Sequence, residues 1–562
     1  MRDKRCFVSA SILVTVCLLL FGCAREDQNL AASLESITAE DLEDHIITLA
    51  SDELEGRSPA SPGEEKTVNY LREEFQNLGL KPGNDQSFFQ EVPMVEITAD
   101  PQVRLDIKKD EKTAAFRYGD DFMAWTLRVV REVSLAESDM IFVGYGIIAP
   151  EYGWNDYEGV DVRGKTVVML VNDPGFVTGD PELFNGRAMT YYGRWTYKFE
   201  EAARQGASGA FIVHETEPAS YPWEVVRNSW SGANFSLAAE DNNMSRCAVE
   251  GWITTDTACR LFQMAGQDYE KLKSDATKHG FRALPLGTKA FITLENKIKR
   301  SKSRNVIAVL PGSDRADEYI FYMAHWDHFG IDPTLEGDQI YNGARDNATG
   351  TAALIELAEA FNMLPTPPSR SIAFLAVTGE EQGLLGSKYY AAHPIYPPAK
   401  TVAAINMDAL NIFGRMNDIT VIGYGNSDLD HYVEAAAAEQ GRTVRPDPHP
   451  ERGSFYRSDH FSFAKQGIPA LYTGCGVDHV EKGKEWGRSQ IKKWGDAHYH
   501  KTSDEYDPHT WNLSGAIQDL RLLFRVGYEL SQESTFPNWT QGSEFKAKRD
   551  KDMEAARHKS DR

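Results

Sequence analysis

The chain has 562 residues and a formal net charge of −23 at pH 7, with 41% hydrophobic and 25% charged residues. That composition is ordinary for a globular protein, and the length leaves room for roughly three or four domains. So acidic a chain argues against binding DNA or RNA by neutralising phosphates, and its charge speaks to solubility rather than to substrate.

Arg2, Lys4 and Arg5 precede a short apolar run, Phe7 to Phe21. The run is shorter than the about 20 residues of a membrane span. It ends in Leu20-Phe21-Gly22-Cys23, which resembles the lipobox of bacterial lipoproteins. The resemblance implies that residues 1–22 are a signal peptide, that Cys23 carries a lipid, and that residues 23–32 are a polar tether. The expected location is the bacterial cell envelope, periplasmic or outer-membrane facing, with membrane contact only through the lipid. An unused lipobox would instead mean secretion. Of six cysteines, Cys6 and Cys17 leave with the signal. Cys247 and Cys259 could pair in an oxidising periplasm, and no cysteine has zinc-knuckle spacing.

Thr38 to Ala50 and Gly63 to Leu78 read as amphipathic helices. The second has one apolar stripe of Val68, Leu71, Phe75 and Leu78. Between them the loop SDELEGRSPASPG is rich in turn residues. From about Gln86 the pattern changes to short strands: Val103 to Ile107, Met140 to Val143, Lys165 to Val171 and Ala210 to Val213. The G-Y-G-I-I-A run from Val143 matches a dinucleotide fingerprint only formally, because Pro150 and Gly153 forbid the helix such a site opens. Lys297 to Asn305 is basic and polar and reads as a linker. Beyond it strands and helices alternate. The predicted strands are Asn305 to Leu310, Tyr319 to His325, Ser371 to Thr378, Thr401 to Asp408, Ile419 to Ile422 and Ile468 to Tyr472. The predicted helices are Asn347 to Leu364, Leu384 to His393, Leu429 to Gln440 and Trp511 to Ser531. This is the pattern of a mainly parallel mixed α/β sheet flanked by helices, which binds ligands at the carboxyl ends of its strands. The charged tail from Gly542 is expected to fray.

Five polar motifs fall at those strand ends. His325 and Asp327 close the run YIFYMAHWDH and share a face, which places Asp327 to take the second N–H of a metal-binding imidazole. Asp346 sits in GARDNATG, Glu380 and Glu381 in TGEEQGLLGS, Asp408 in INMDAL and His500 in HYHKTSDEYD. Each alone has a plainer reading as a cap, turn or surface residue. Together they supply two imidazoles and three carboxylates, with one carboxylate to spare. That donor set suits zinc, and a pair of ions needs one bridging carboxylate. The spare glutamate is then free to act as a general base.

AHWDH, GARDNATG, TGEEQGLLGS, INMDAL and YHKTSDEYD, in this order, resemble the successive motifs of the M28 family of zinc peptidases. LASDELEGR is similar to the family's N-terminal region. The stretch GYGIIAPEYGWNDYEGVDVRGKTVVMLVNDPG, with EEAARQGASGAFIV after it, resembles the β-rich protease-associated (PA) domain inserted in many members. The resemblance implies two Zn²⁺ per chain. His325 and Asp408 would hold one, Glu381 and His500 the other, and Asp346 would bridge them. Asp327 would orient His325, Glu380 would be the catalytic base acting on a bridging hydroxide, and Tyr499 would stabilise the oxyanion. His498 is the rival to His500. His328 and His460 read as supporting residues, and Arg345 places a cation beside Asp346. The implied organisation is an N-terminal part of the catalytic domain over residues 33–135, a PA-like insertion over 136–296, the zinc-peptidase domain over 297–535 and a charged tail over 536–562. The implied activity is an exopeptidase acting on peptides, an aminopeptidase first of all, with the oligomeric state left open. The alternatives are a glutamate-releasing carboxypeptidase, whose arginine clamp could come from Arg345, Arg452 or Arg457, a glutaminyl cyclase-like acyltransferase, and a non-catalytic receptor-like ectodomain.

Overall fold

The structure, a computed structural model, describes residues 30–560; the signal peptide 1–22 and Cys23 lie outside the described residues. At the centre of the main sheet are four parallel strands, in the spatial order Arg370–Val377, Arg315–His325, Thr401–Asn406 and Ala470–Gly474. Antiparallel neighbours extend it on both sides. Leu284–Leu310 and Phe89–Ala99 lie on one side, Asp418–Ile422 on the other. Residues 320–325 and 370–377 are buried throughout. A strand covered on both faces needs such an unbroken apolar run. The helix Thr349–Asn362 is likewise buried almost all round, and its small residues Gly350, Ala352, Ala353, Ala358 and Ala360 let it lie close against the sheet. The Tyr322 hydroxyl donates to the Leu523 carbonyl at 2.7 Å, tying the central strand to the helix Ser514–Gln532.

A second sheet is built from Arg104–Lys109, Lys112–Arg117, Phe122–Trp125, Glu132–Phe142, Thr166–Leu170, Gly209–His214 and Val249–Thr254. Its middle is parallel, and the helices Trp195–Arg204 and Thr255–Ala265 pack against it. The two sheets share one strand. Leu284–Leu310 pairs with Glu132–Phe142 in its first part and with Phe89–Ala99 and Arg370–Val377 in the rest.

Four expectations are corrected here. Lys297 to Asn305 is not a linker but the middle of that shared strand. Its basic residues alternate out to solvent, where Lys299 and Lys302 meet Glu96 and Glu91 of the neighbouring strand at 3.4 and 2.9 Å. The tail does not fray. Residues Lys546–Ser560 are helical, Phe545 and Arg549 are buried, and the Arg549 guanidinium donates to the Pro398 and Thr401 carbonyls at 3.0 Å each. Cys247 is buried, Cys259 is exposed, and both are free thiols. The tether also ends early, since residues 30–36 are helical and Leu30 is buried. A helix at Gly483–His498, just before His500, was not expected from the sequence.

Candidate functional site

The carboxyl ends of three central strands deliver the first residues. His325 ends its strand, Glu380 and Glu381 follow Arg370–Val377, and Asp408 follows Thr401–Asn406. Asp346 comes from a tight turn before the buried helix, and its peptide bond to Asn347 is cis. Gly343 opens this turn with φ +52°, and a Cβ there would collide with the Asp346 carbonyl and the His328 ring. Only glycine fits. The Asn347 amide donates to the Met407 carbonyl at 3.0 Å, and its oxygen accepts from the Gly350 and Ala409 N–H groups at 2.9 and 3.1 Å. One side chain thus locks the Asp346 turn to the strand end that carries Asp408.

The two carboxylate oxygens of Asp346 face different partners. Oδ1 lies 3.3 Å from His325 Nε2, which is itself 3.6 Å from Asp408 Oδ1. Oδ2 lies 3.4 Å from His500 Nε2, which is 3.2 Å from Glu381 Oε2. Donors around a tetrahedral zinc at 2.0–2.2 Å stand about 3.3–3.6 Å apart. His325 Nε2 is buried with no hydrogen-bond partner, an orphan that a metal would satisfy. His325, Asp346 and Glu381 also offer ligand atoms within 4.8 Å of one another. The residues present therefore fit a pair of zinc ions bridged by Asp346.

Charge in the cluster is frustrated without cations. Burial, and then neighbouring Asp346, hold the Glu381 carboxyl well above the usual range. Burial raises Glu380 too, against the pull of His325 and with the push of Glu381 and Asp408. Burial opposes a charged His325 ring, but Asp346 and Asp408 outweigh it and hold the ring well above its ordinary value.

The surrounding contacts differ in places from the sequence reading. His325 Nδ1 hydrogen-bonds the Asp327 main-chain carbonyl at 3.1 Å, while the Asp327 carboxylate stands 3.9 Å away. That carboxylate instead accepts the Glu380 N–H at 3.1 Å, which fixes the start of the glutamate pair. His328 supports Glu381 through Nδ1, 2.6 Å from Oε1, and burial pushes its ring down to about 3. His460 is buried against Phe455 and Tyr472. His500 meets the acidic cluster, whereas His498 turns away to Ser503. Tyr499 stacks on His500 at 3.8 Å and lines the same cleft. Its side chain is half exposed. Loss of solvent, then Asp346, Glu381, Glu380 and Asp408, push the hydroxyl well above its ordinary value. Arg345 does not face the cleft. Its guanidinium donates to the Leu410 carbonyl at 3.0 Å and stacks 4.3 Å from the Trp494 ring.

Three residues escaped the sequence reading. Asp504 accepts the Arg345 and Asp346 N–H groups at 3.0 Å each, gripping the bridging turn. Ser458 donates to Asp408 Oδ2 at 2.7 Å. Arg57 is buried and donates to the carbonyls of Trp326, Leu49, Asn342 and Gly343 at 2.8, 2.5, 2.6 and 2.9 Å. It clasps the loop after His325 to the loop before Asp346. Asp504 and Arg57 lie inside the motifs TSDEYD and LASDELEGR, so their signal was present. Only contact distances show what they hold.

Fold and site together define an α/β protein with a candidate paired-metal centre of imidazoles and carboxylates at the strand ends. Residues 305–524 match the model of peptidase family M28. The chain is 29% identical over 208 residues to leupeptin-inactivating enzyme 1 of Streptomyces exfoliatus, a match spanning 36% of this chain and 42% of that one. It is 29% identical over 204 residues to a glutamate carboxypeptidase 2 homolog of Caenorhabditis elegans, spanning 34% and 24%. Both matches thus span less than half of the relative's length. Among solved structures, an aminopeptidase from Aneurinibacillus sp. strain AM-1 aligns over 90% of this chain and 96% of its own, with 20% identity and a TM-score of 0.48.

Proposed function

We propose that the protein is a zinc-dependent exopeptidase, foremost an aminopeptidase, that uses two zinc ions. The observation that carries this reading is the split of Asp346, whose two oxygens each face one imidazole–carboxylate pair. In this reading His325 and Asp408 would hold one ion and His500 and Glu381 the second, with Asp346 shared between the two pairs. Zinc, when bound, supplies Lewis acidity and lowers the pKa of water. Glu380 lines the same cleft and is not needed as a ligand. It takes a proton from the attacking water and returns it to the leaving amine. The Tyr499 hydroxyl donates to the carbonyl oxygen as negative charge develops there. Asp327 positions Glu380 through its main-chain N–H, and His328 positions Glu381.

The second sheet serves as a wall of the cleft. Arg194, Trp195, Thr196 and Glu200, next to or within the helix Trp195–Arg204, line it, in keeping with a PA-like insertion that restricts substrates. A lipid on Cys23 would hold the enzyme at the cell envelope, and Cys23→Ser should release it from the membrane fraction. The activity test pairs zinc content with hydrolysis of a free peptide and its N-acetylated form. Two zinc ions per chain and cleavage only of the free peptide support the proposal. Fewer than one ion per chain, or no cleavage of either peptide, would sink it.

A further inference from the structure

The cleft has a volume of about 490 Å³ and reaches well beyond the acidic cluster. Four basic side chains also line it: Arg194, Lys388, Arg457 and Lys465. Lys465 is balanced, with its Nζ 2.8 and 2.9 Å from the two oxygens of Glu200 and 2.7 Å from the Tyr191 hydroxyl. The other three have no carboxylate within ion-pair distance among the described residues. Arg194 is only 8% exposed, and its Nε lacks a hydrogen-bond partner. Its guanidinium carbon lies 5.8 Å from the centre of the Trp195 ring. Arg457 donates to the Ser220 hydroxyl at 3.1 Å. Lys388, on the helix Leu385–Ala392, is pushed down to about 8 by burial and then by Lys465. Arg194 is pushed down to about 10 by burial and then by Arg457. Of the three, Arg194 is buried, Lys388 is half-buried and Arg457 is exposed.

A buried cation without a counter-charge is costly. The carboxylates elsewhere in the cleft do not supply one. Asp346, Glu380, Glu381 and Asp408 would be balanced by two divalent ions, so the basic end stays positive. A substrate group is left to balance it. Guanidinium groups suit carboxylates through paired N–H donors.

We infer that Arg194, Lys388 and Arg457 form a carboxylate-binding subsite, and that the preferred substrate is a short peptide presenting a carboxylate there. The carboxylate is an acidic side chain or a free C-terminus, and the assignment rests on the peptidase reading above. Because Arg194 adjoins the helix of the second sheet while Lys388 and Arg457 belong to the main-sheet part, a bound carboxylate would bridge the two walls.

The test uses three peptides on the full-length, zinc-loaded protein: Leu-Gly-Gly amide, Leu-Gly-Gly free acid and Leu-Asp-Gly amide. At least one carboxylate peptide should exceed the neutral amide in kcat/KM by about tenfold, the size expected of one charge-assisted hydrogen bond. Whichever does so identifies the source of the carboxylate. In Lys388→Met and Arg457→Gln that preference should collapse, and Lys388→Arg should restore it. No preference in the unmodified protein, or a preference that survives both substitutions, overturns the subsite. Calorimetry with glutarate and glutaramide separates this from the activity itself. Glutarate should bind more tightly than glutaramide, and the difference should shrink in Lys388→Met. That result without any peptide cleavage would keep the subsite and refute the peptidase reading. Equal binding of the two probes would overturn the subsite.

Discussion

The two walls of the cleft are made in different ways. The main-sheet wall carries its chemistry at strand ends, in short motifs where neighbours in sequence are neighbours in space. His325 with Asp327, and Glu380 with Glu381, are of this kind. The opposite wall comes from the region of the second sheet. Its contribution, Arg194 and Trp195, acquires meaning only beside Lys388 and Arg457, far away in the chain. The candidate metal centre is thus assembled from short local motifs that the fold brings together, whereas the proposed carboxylate subsite has no local motif at all. If the contrast holds, changes in the first wall should alter turnover and metal content, and changes elsewhere should alter preference or stability.

The glutamate pair gives the largest expected separation. Glu380→Gln keeps size but cannot accept a proton, and losing a general base costs about 10²–10⁴-fold in rate. Zinc should stay bound in that variant. Glu381→Gln should weaken the second ion instead, with partial rescue by added zinc. Metal content and turnover measured side by side distinguish the two, and the contrast breaks if the glutamates exchange behaviours.

Next comes Arg57, which touches no substrate but clasps two site loops. Arg57→Met would leave four buried carbonyls without their donor. Each such group costs about 1–3 kcal/mol, partly recovered by relaxation, so a net loss of about 3 kcal/mol is expected. Thermal melting with and without zinc reads this, and zinc should protect the variant less than the parent. An unchanged melting curve would mean that the clasp is dispensable.

His328 sharpens the comparison at smaller scale. Removing a residue that orients a metal ligand typically weakens metal binding about 10–100-fold. His328→Ala should do so by freeing Glu381 Oε1, as followed by competition with a zinc chelator. Smallest of all is the shared strand. Lys302→Ala removes one exposed pair with Glu91 and should change stability by less than about 1 kcal/mol. A larger loss would show that this basic ladder holds the two sheets in register.

The alternating α/β pattern and the polar residues that gather in the candidate site were legible in the sequence, because buried parallel strands read as apolar runs and these polar residues sit where the runs stop. It misread Lys297 to Asn305, since a strand with one solvated face of lysines has the composition of a linker. It misread the tail for the same reason, as two buried side chains, Phe545 and Arg549, anchor a helix that is otherwise charged. Arg345 looked like a cation beside the site because it precedes Asp346. The turn instead points its guanidinium to the Leu410 carbonyl and the Trp494 ring. Asp327 was correctly placed beside His325 in space, but its carboxylate serves the Glu380 N–H. Distances of this kind depend on loop geometry that no local pattern encodes.

The central claim is that Asp346 stands between two metal ions. Anomalous diffraction at the zinc edge, on crystals of the zinc-loaded protein, tests it directly. The account predicts two peaks about 3.5–4 Å apart, one beside His325 and Asp408 and the other beside Glu381 and His500, with one Asp346 oxygen toward each. A single peak, or a pair in which Asp346 contacts only one ion, would contradict it.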